Sequence, residues 1–292
     1  MPILVNIVLE TAPRLRFVII VFVSALVFSS CAALQPPNVT GPPGKNSLYP
    51  ILLIEDADRK EATLAALNRF GQLSGKSNGA QPQLQPVTGT ILGLPAQANG
   101  SLFLPKVGAA ATMNEEETRE SLRRFIRDWQ QLIGSDPAKL SLIERTDLPD
   151  GSKLASYQQR PFRYPIRGNY GKLEIHFTGD RRVVNLTSSC IPDADRIQSA
   201  ISALNVRPRS EETLQKLRAK GLTYKDAQGV ERTFAIPPSS EMTARQMTIY
   251  ILPAKDQPDA LEFHLAWEIE FTNAPIKLAY VDALNGEVVA TE

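Results

Sequence analysis

Hydrophobic and polar positions alternate most regularly towards the end of the chain. Leu261, Phe263, Leu265, Trp267, Ile269 and Phe271 take every second position, with Glu262, His264, Ala266, Glu268 and Glu270 between them. A period of two puts the two sets on opposite faces, so this segment predicts a long half-buried strand with one apolar and one mostly charged, water-facing side. Runs from Lys277 to Asp282 and from Glu287 to Ala290 flank Asn285-Gly286, the side-chain chemistry of a hairpin turn with positive φ. An antiparallel sheet is therefore expected here.

A helical period appears earlier. Leu122, Phe125, Ile126, Trp129, Leu132 and Ile133 recur at spacings of three and four, which predicts an amphipathic helix ended by Gly134. Asn114 and Glu117 can form a capping box at its start, where acidic residues favour the positive end of the helix. Trp129 lies on the stripe and is expected in the core. Strands are predicted from Leu140 to Arg145, Lys153 to Gln159, Lys172 to Phe177 and Arg182 to Thr187. Pro149-Asp150-Gly151, Gly168-Asn169-Tyr170-Gly171 and Gly179-Asp180 mark turns between them.

Helix followed by sheet then begins again. Asp193 or Asp195 is expected to cap a helix carrying Ile197, Ala200, Ile201 and Leu204, and Ser210 to cap another carrying Leu214 and Leu217, closed by Gly221. A strand from Met247 to Leu252 precedes the alternating segment. The expected fold class is α+β: two consecutive modules, over residues 113–192 and 193–292, each a helix packed on an antiparallel sheet.

The stretch before Met113 has a different texture. Residues 32–112 read as flexible tether and linker, rich in Gly, Pro, Gln, Asn and Ser, with one helix from Asp56 to Phe70 and one short strand from Thr88 to Leu94. Leu64, Leu67 and Phe70 share a face of that helix, and Gly71 is placed to cap it. Gly71, Gly75, Lys76 and Ser77 resemble a phosphate-binding loop only superficially. The motif needs four residues between its glycines, and a strand rather than a helix before it.

Residues 1–31 read as a signal peptide. Arg14 and Arg16 precede an apolar run from Phe17 that ends in Ser29-Ser30-Cys31. Phe28-Ser29-Ser30-Cys31 resembles a bacterial lipobox, so Cys31 is the expected lipidation site. Ala32 after it implies export past the inner membrane, to the outer membrane if the cell has one. An ordinary secretory signal is the alternative. With acylated Cys31 the second cysteine, Cys190, has no partner; without acylation a Cys31–Cys190 bridge becomes available.

The chain of 292 residues is 43% hydrophobic and 22% charged, with a formal net charge of +1. That is globular composition with ample material for a core, and its charge balance gives no reason to expect a nucleic-acid partner. Nothing in the pattern calls for a cofactor or a small-molecule ligand.

Several pieces taken in order resemble a known family. Trp129-Gln130-Gln131-Leu132 with Gly134, then Tyr157-Gln158-Gln159, then Gly171-Lys172-Leu173-Glu174-Ile175-His176-Phe177 and Gly179-Asp180-Arg181-Arg182-Val183-Val184 resemble the fungalysin/thermolysin propeptide module. Leu265-Ala266-Trp267-Glu268-Ile269, Tyr280-Val281-Asp282-Ala283 and Asn285-Gly286-Glu287-Val288 are similar to the PepSY module that follows it. The turn before the Leu-x-Val strand departs from the family: Phe162 to Gly168 keeps Pro165-Ile166 but shifts the glycine pattern. The resemblance implies cystatin-like folds for both modules. It also implies that Tyr157, Gln158, Gln159, Trp267, Asp282 and Gly286 are structural or partner-binding positions. In such precursors the propeptide assists folding of the adjoining zinc peptidase and blocks its active site.

The catalytic half of such a precursor needs His-Glu-x-x-His and a downstream Glu, so that two imidazoles and a carboxylate leave one zinc position open for water. This sequence has two histidines, His176 and His264, each expected on the outward face of a strand. No catalytic or metal-ligating residue is assigned. Cys190 is expected to be a buried, inert thiol, and Glu262, Glu268 and Glu270 a solvated strand face.

The expectation is a non-catalytic, exported protein, lipid-anchored in the cell envelope, that inhibits a secreted thermolysin-like zinc peptidase in trans or assists its folding. Two alternatives stand beside it. One is an envelope interaction module with no peptidase role. The other is the remnant of a split precursor, in which Glu292 would have been followed by the zinc domain.

Overall fold

The alternating segment and its neighbours build the larger of two main sheets in the computed structural model, which describes residues 49–73, 82–94, 102–110, 112–204, 209–226 and 228–292. Cys31, the leader before it and most of the Pro-rich stretch after it lie outside the described residues. Residues 48–292 form one compact unit. Among the described residues, no helix is long and apolar enough to cross a membrane.

In chain order the elements begin with β1 (Ile51–Ile54), α1 (Ala57–Leu73), β2 (Gln83–Leu84) and β3 (Ile91–Gly93). Then come α2 (Glu115–Asp128), α3 (Gln130–Ile133), β4 (Leu140–Asp147), β5 (Lys153–Gln159), β6 (Ile166–Arg167), β7 (Lys172–Phe177) and β8 (Val183–Ser188). They continue with α4 (Ala194–Ala203), α5 (Ser210–Lys220), β9 (Leu222–Lys225), β10 (Glu231–Phe234), β11 (Glu241–Pro253), β12 (Ala260–Thr272), β13 (Leu278–Asp282) and β14 (Val288–Thr291). The class is α+β.

The first sheet has the order β4-β5-β7-β8, antiparallel throughout. Its helix starts where the sequence predicts. Asn114 and Glu117 form a reciprocal capping box with three glutamates in the first turn, which satisfies helix-start N–H groups and complements the helix dipole. The helix breaks at Trp129, restarts as α3 and stops at Gly134, whose left-handed φ of 78° only glycine adopts without strain. All six stripe residues are buried and pack on Leu173, Ile175 and Phe177 of β7. Each contributes about 1.5–3 kcal/mol through removal from water.

The second sheet is six-stranded, in the order β14-β13-β12-β11-β6, with β1 also on β12. On one edge β12 pairs with β11 along most of its length. On the other it carries two strands end to end: β1 opposite Ala260 to Phe263, and β13 opposite Ala266 to Glu270. The odd-numbered face of β12 is the apolar one, as the alternation predicts. Leu261, Phe263 and Leu265 pack under Ile197 and Ile201 of α4. Ile269 and Phe271 pack with Leu217 of α5 and with Leu222 of the β9–β10 hairpin.

Several expectations are corrected. The described part of residues 32–112 is built into the fold rather than tethering it. Ile51 and Leu53 belong to the second core, and Ile91, Leu102 and Leu104 to the first. Leu102 and Leu104 dock on the β8 side, where the Val183 N–H donates to Leu102 O and the Leu104 N–H to Arg181 O, both at 2.8 Å. Helix α1 runs past Gly71 to Leu73, and Leu64 faces away from the core at 47% exposure, while Thr63 and Phe70 are buried. Asp193 holds the cap position of α4 at φ 54° without a side-chain cap; its carboxylate instead meets Arg59 at 3.0 Å. Arg209, not Ser210, occupies the cap position of α5.

Residues 113–192 do not keep their strands to one sheet, because β6 pairs in parallel with β11 of the larger one. The β9–β10 hairpin went unpredicted. Its signal was Asp226, whose carboxylate takes the N–H groups of Gln228 and Val230 and whose carbonyl takes that of Gly229.

Candidate functional site

Tyr157, Gln158 and Gln159 alternate along β5 and do three different things. Tyr157 is half-buried against the first core, and burial pushes its phenol well above the ordinary range. Gln159 is buried, and its side-chain amide imitates a strand partner. Its Nε2 donates to Ile191 O and its Oε1 accepts the Ile191 N–H, both at 2.8 Å. It thereby clips the end of the first sheet to the segment that enters α4. Gln158 points the other way, and its Nε2 is buried without a hydrogen-bond partner.

Trp267 is half-buried at the second sheet, packed against the cluster around Ile269 and Phe271; its indole N–H is also buried and unpartnered. Opposite it in register lies Val281, one position before Asp282. Asp282 is fully buried and closes the last hairpin. Its Oδ1 takes the N–H groups of Leu284 and Asn285 at 2.8 and 3.1 Å, and its carbonyl takes that of Gly286 at 2.9 Å. Gly286 alone has positive φ, 75°, so the turn is longer than the Asn-Gly pair by itself predicts. The resemblance-derived positions thus fall into two separate groups on the two sheets.

The even-numbered face of β12 departs most from expectation. Ala266, Glu268, Tyr280 and Asp282 on this face are buried, not water-facing. His264 is 12% exposed in its side chain and lies between two carboxylates, with Nδ1 2.8 Å from Asp282 Oδ2 and Nε2 3.2 Å from Glu262 Oε2. Burial opposes the charged imidazolium, but the hydrogen bonds and charges of Asp282 and Glu262 outweigh it and hold the His264 pKa above its ordinary value. Burial likewise acts against the Asp282 carboxylate. The bonds from His264, Tyr49 and the turn N–H groups prevail, and its pKa lies below the usual range.

Further along the same face, Glu268 has a side chain 4% exposed and accepts a 2.7 Å ion-pair hydrogen bond from Arg167 Nε. The pair borders a cleft of about 740 Å³ between β6, the loop to β7 and strands β11–β13. Tyr250 and Tyr280, with ring centroids 4.5 Å apart, line it together with Gln158, Lys172 and Glu292. Tyr49 and Tyr250 carried no local signal in the sequence, and Tyr280 and Arg167 appeared there only within stretches compared with the family. Their roles come from pairings between distant segments.

The remaining candidate groups are engaged structurally. Cys190 is buried and its thiol is pushed up to about 12 by desolvation, so it is no nucleophile at neutral pH. His176 Nε2 lies 2.5 Å from Ser152 Oγ, which Asp150 also holds. That order differs from a catalytic triad, where the carboxylate orients the imidazole. Among the described residues, no group of three or more His, Cys, Asp or Glu side chains could hold a metal ion. No family model and no curated protein matches the chain.

Proposed function

We propose that the protein is a non-catalytic, exported protein-binding molecule, built like a metallopeptidase propeptide with two cystatin-like modules. In this reading it acts in trans on a secreted thermolysin-like zinc peptidase, as inhibitor or folding assistant, and is held in the cell envelope through a lipid on Cys31. The observation that carries the reading is the first layer. A capped helix with a fully buried stripe lies on an antiparallel sheet, and the quoted motif residues Trp129, Gln159, Leu173, Ile175 and Phe177 are its buried parts. The second layer, with α4 and α5 over one face of an antiparallel core sheet, supports it in the same sense.

The test is titration of the purified chain into thermolysin-like peptidases, with both activity and refolding yield followed. Dose-dependent inhibition or improved refolding is expected. No effect on either quantity would sink the reading. Because a separate chain lacks the effective concentration of a tethered propeptide, the titration must reach high protein concentration.

A second reading rests on a different observation. Strand β4 is an edge of its sheet, and Ile143, the extra residue at its bulge, is 56% exposed. An open edge of this kind accepts an added strand from a partner. An envelope interaction module without a peptidase role would recover a non-peptidase partner from membrane fractions, and Ile143→Lys would abolish the recovery.

A further inference from the structure

Three donors with no acceptor of their own line the cleft beside Arg167 and Glu268. Glu268, itself buried, holds Arg167 through Nε alone. Among the described residues no acceptor takes the terminal Nη groups of Arg167 or the Lys172 ammonium. Gln158 Nε2, on the same wall, is buried with no partner. A buried donor left unpaired is costly, and a guanidinium fixed by a carboxylate at Nε still presents a two-pronged edge to another.

Gly171 lets Gln158 and Ile166 pack closely behind this wall. At φ 74° a Cβ there would stand 3.2 Å from Gln158 Nε2 and 2.7 Å from Ile166 Cδ1. On the same sheet face, in register beside Arg167 and Glu268, lie the paired rings of Tyr250 and Tyr280, with Leu252 and Leu278 flanking them. The other charges on the lining are Arg245 and Glu292. Arg245 is held by Glu270 at 2.8 and 2.9 Å, and Glu292 sits beside Tyr280.

We infer that this cleft binds a peptide carboxylate flanked by an apolar side chain. The carboxylate seats against Arg167, Lys172 and Gln158, and the apolar side chain lies beside them on the half-buried Tyr250 ring, Leu252 and Leu278. The volume suits a few residues of extended peptide. The inference deepens the protein-binding reading above and rests on it, since it names the part of a partner that the surface takes. A free chain terminus and an Asp or Glu side chain offer the same chemistry.

Calorimetric titration of the full chain with three acetylated tripeptides tests it. The probes are Ala-Leu-Leu as the free acid, the same peptide as its amide, and Ala-Glu-Leu amide. At least one carboxylate peptide is expected to bind roughly tenfold more tightly than the amide, the size of one charge-assisted hydrogen bond. Binding of the free acid alone identifies a terminal carboxylate, and binding of the Glu peptide alone a side chain. Lys172→Ala and Gln158→Leu should each weaken binding by about tenfold, with the Tm of Lys172→Ala unchanged.

Equal affinity for acid and amide, no binding of any peptide up to about 1 mM, or full affinity in Lys172→Ala overturns the inference. The two readings fail separately. Carboxylate binding with no effect on peptidases would remove the peptidase reading and leave the cleft. Peptidase inhibition undiminished in Lys172→Ala would do the reverse.

Discussion

The Tyr49 hydroxyl donates a 2.6 Å hydrogen bond to Asp282 Oδ2 across 233 positions of chain. The Tyr49 hydroxyl oxygen also accepts the Leu265 N–H at 3.0 Å. Leu265 lies between the stretches of β12 that pair with β1 and β13; its carbonyl accepts the Ala283 N–H at 2.8 Å, but no strand carbonyl reaches its N–H from that edge. One phenol therefore completes the ladder and ties the first described strand to the last hairpin.

Tyr49→Phe removes both bonds while leaving the ring, which packs edge-on to His264 at 5.9 Å. A buried N–H and part of a buried carboxylate lose their partners. The expected loss is about 1–3 kcal/mol in denaturant unfolding, with the slope against denaturant unchanged.

The same cluster makes stability depend on pH in both directions. His264 has a raised folded-state pKa, so its contribution is complete below its ordinary value of 6.5 and is lost as pH rises through the folded value. Asp282 has a lowered one, so its contribution is present above its ordinary 3.8 and is lost as pH falls through the folded value. Unfolding midpoints measured from about pH 3 to about pH 9 should fall at both ends. His264→Gln should flatten the alkaline decline and also shrink the acidic one, because the His264 bond is the largest of those that keep Asp282 ionised.

Gln159 and Gln158 are chemically identical neighbours with opposite expected effects. Gln159→Leu strips the Ile191 N–H and C=O of their partners in a buried place, and should cost about 2–3 kcal/mol. Gln158→Leu removes a buried amide whose Nε2 has no partner, so its unfolding midpoint should be equal or higher. Thermal melts of the two variants side by side decide the matter.

Gly134→Ala tests the end of α3. At φ 78° the added Cβ would stand 2.5 Å from Thr90 Cγ2 and 3.4 Å from the Cys190 carbonyl oxygen. The left-handed backbone and the clash together should cost at least about 2 kcal/mol. A variant with an unchanged midpoint would show that Thr90 and its loop move aside freely.

Local order determined much of this molecule. The capping box at Asn114, the buried stripe from Leu122 to Ile133, the strands of the first sheet and the apolar face of β12 all follow from spacing and side-chain type among near neighbours. A period of three and a half or of two states which residues share a face, and burial of the apolar set does the rest.

Tertiary structure alone decided what the polar face of β12 does. Alternation shows that Glu262, His264, Glu268 and Glu270 point away from the apolar core, but not whether water or protein meets them. Glu268 is buried because Arg167, 101 positions earlier, neutralises it, and Asp282 because Tyr49, His264 and its own turn satisfy it. The same holds for Ile51, Leu53, Leu102 and Leu104, which sit in Pro- and Gly-rich surroundings yet are buried by strands far along the chain. Compensation between residues so distant leaves no periodic trace. It exists only once the chain has brought them within a hydrogen bond's length.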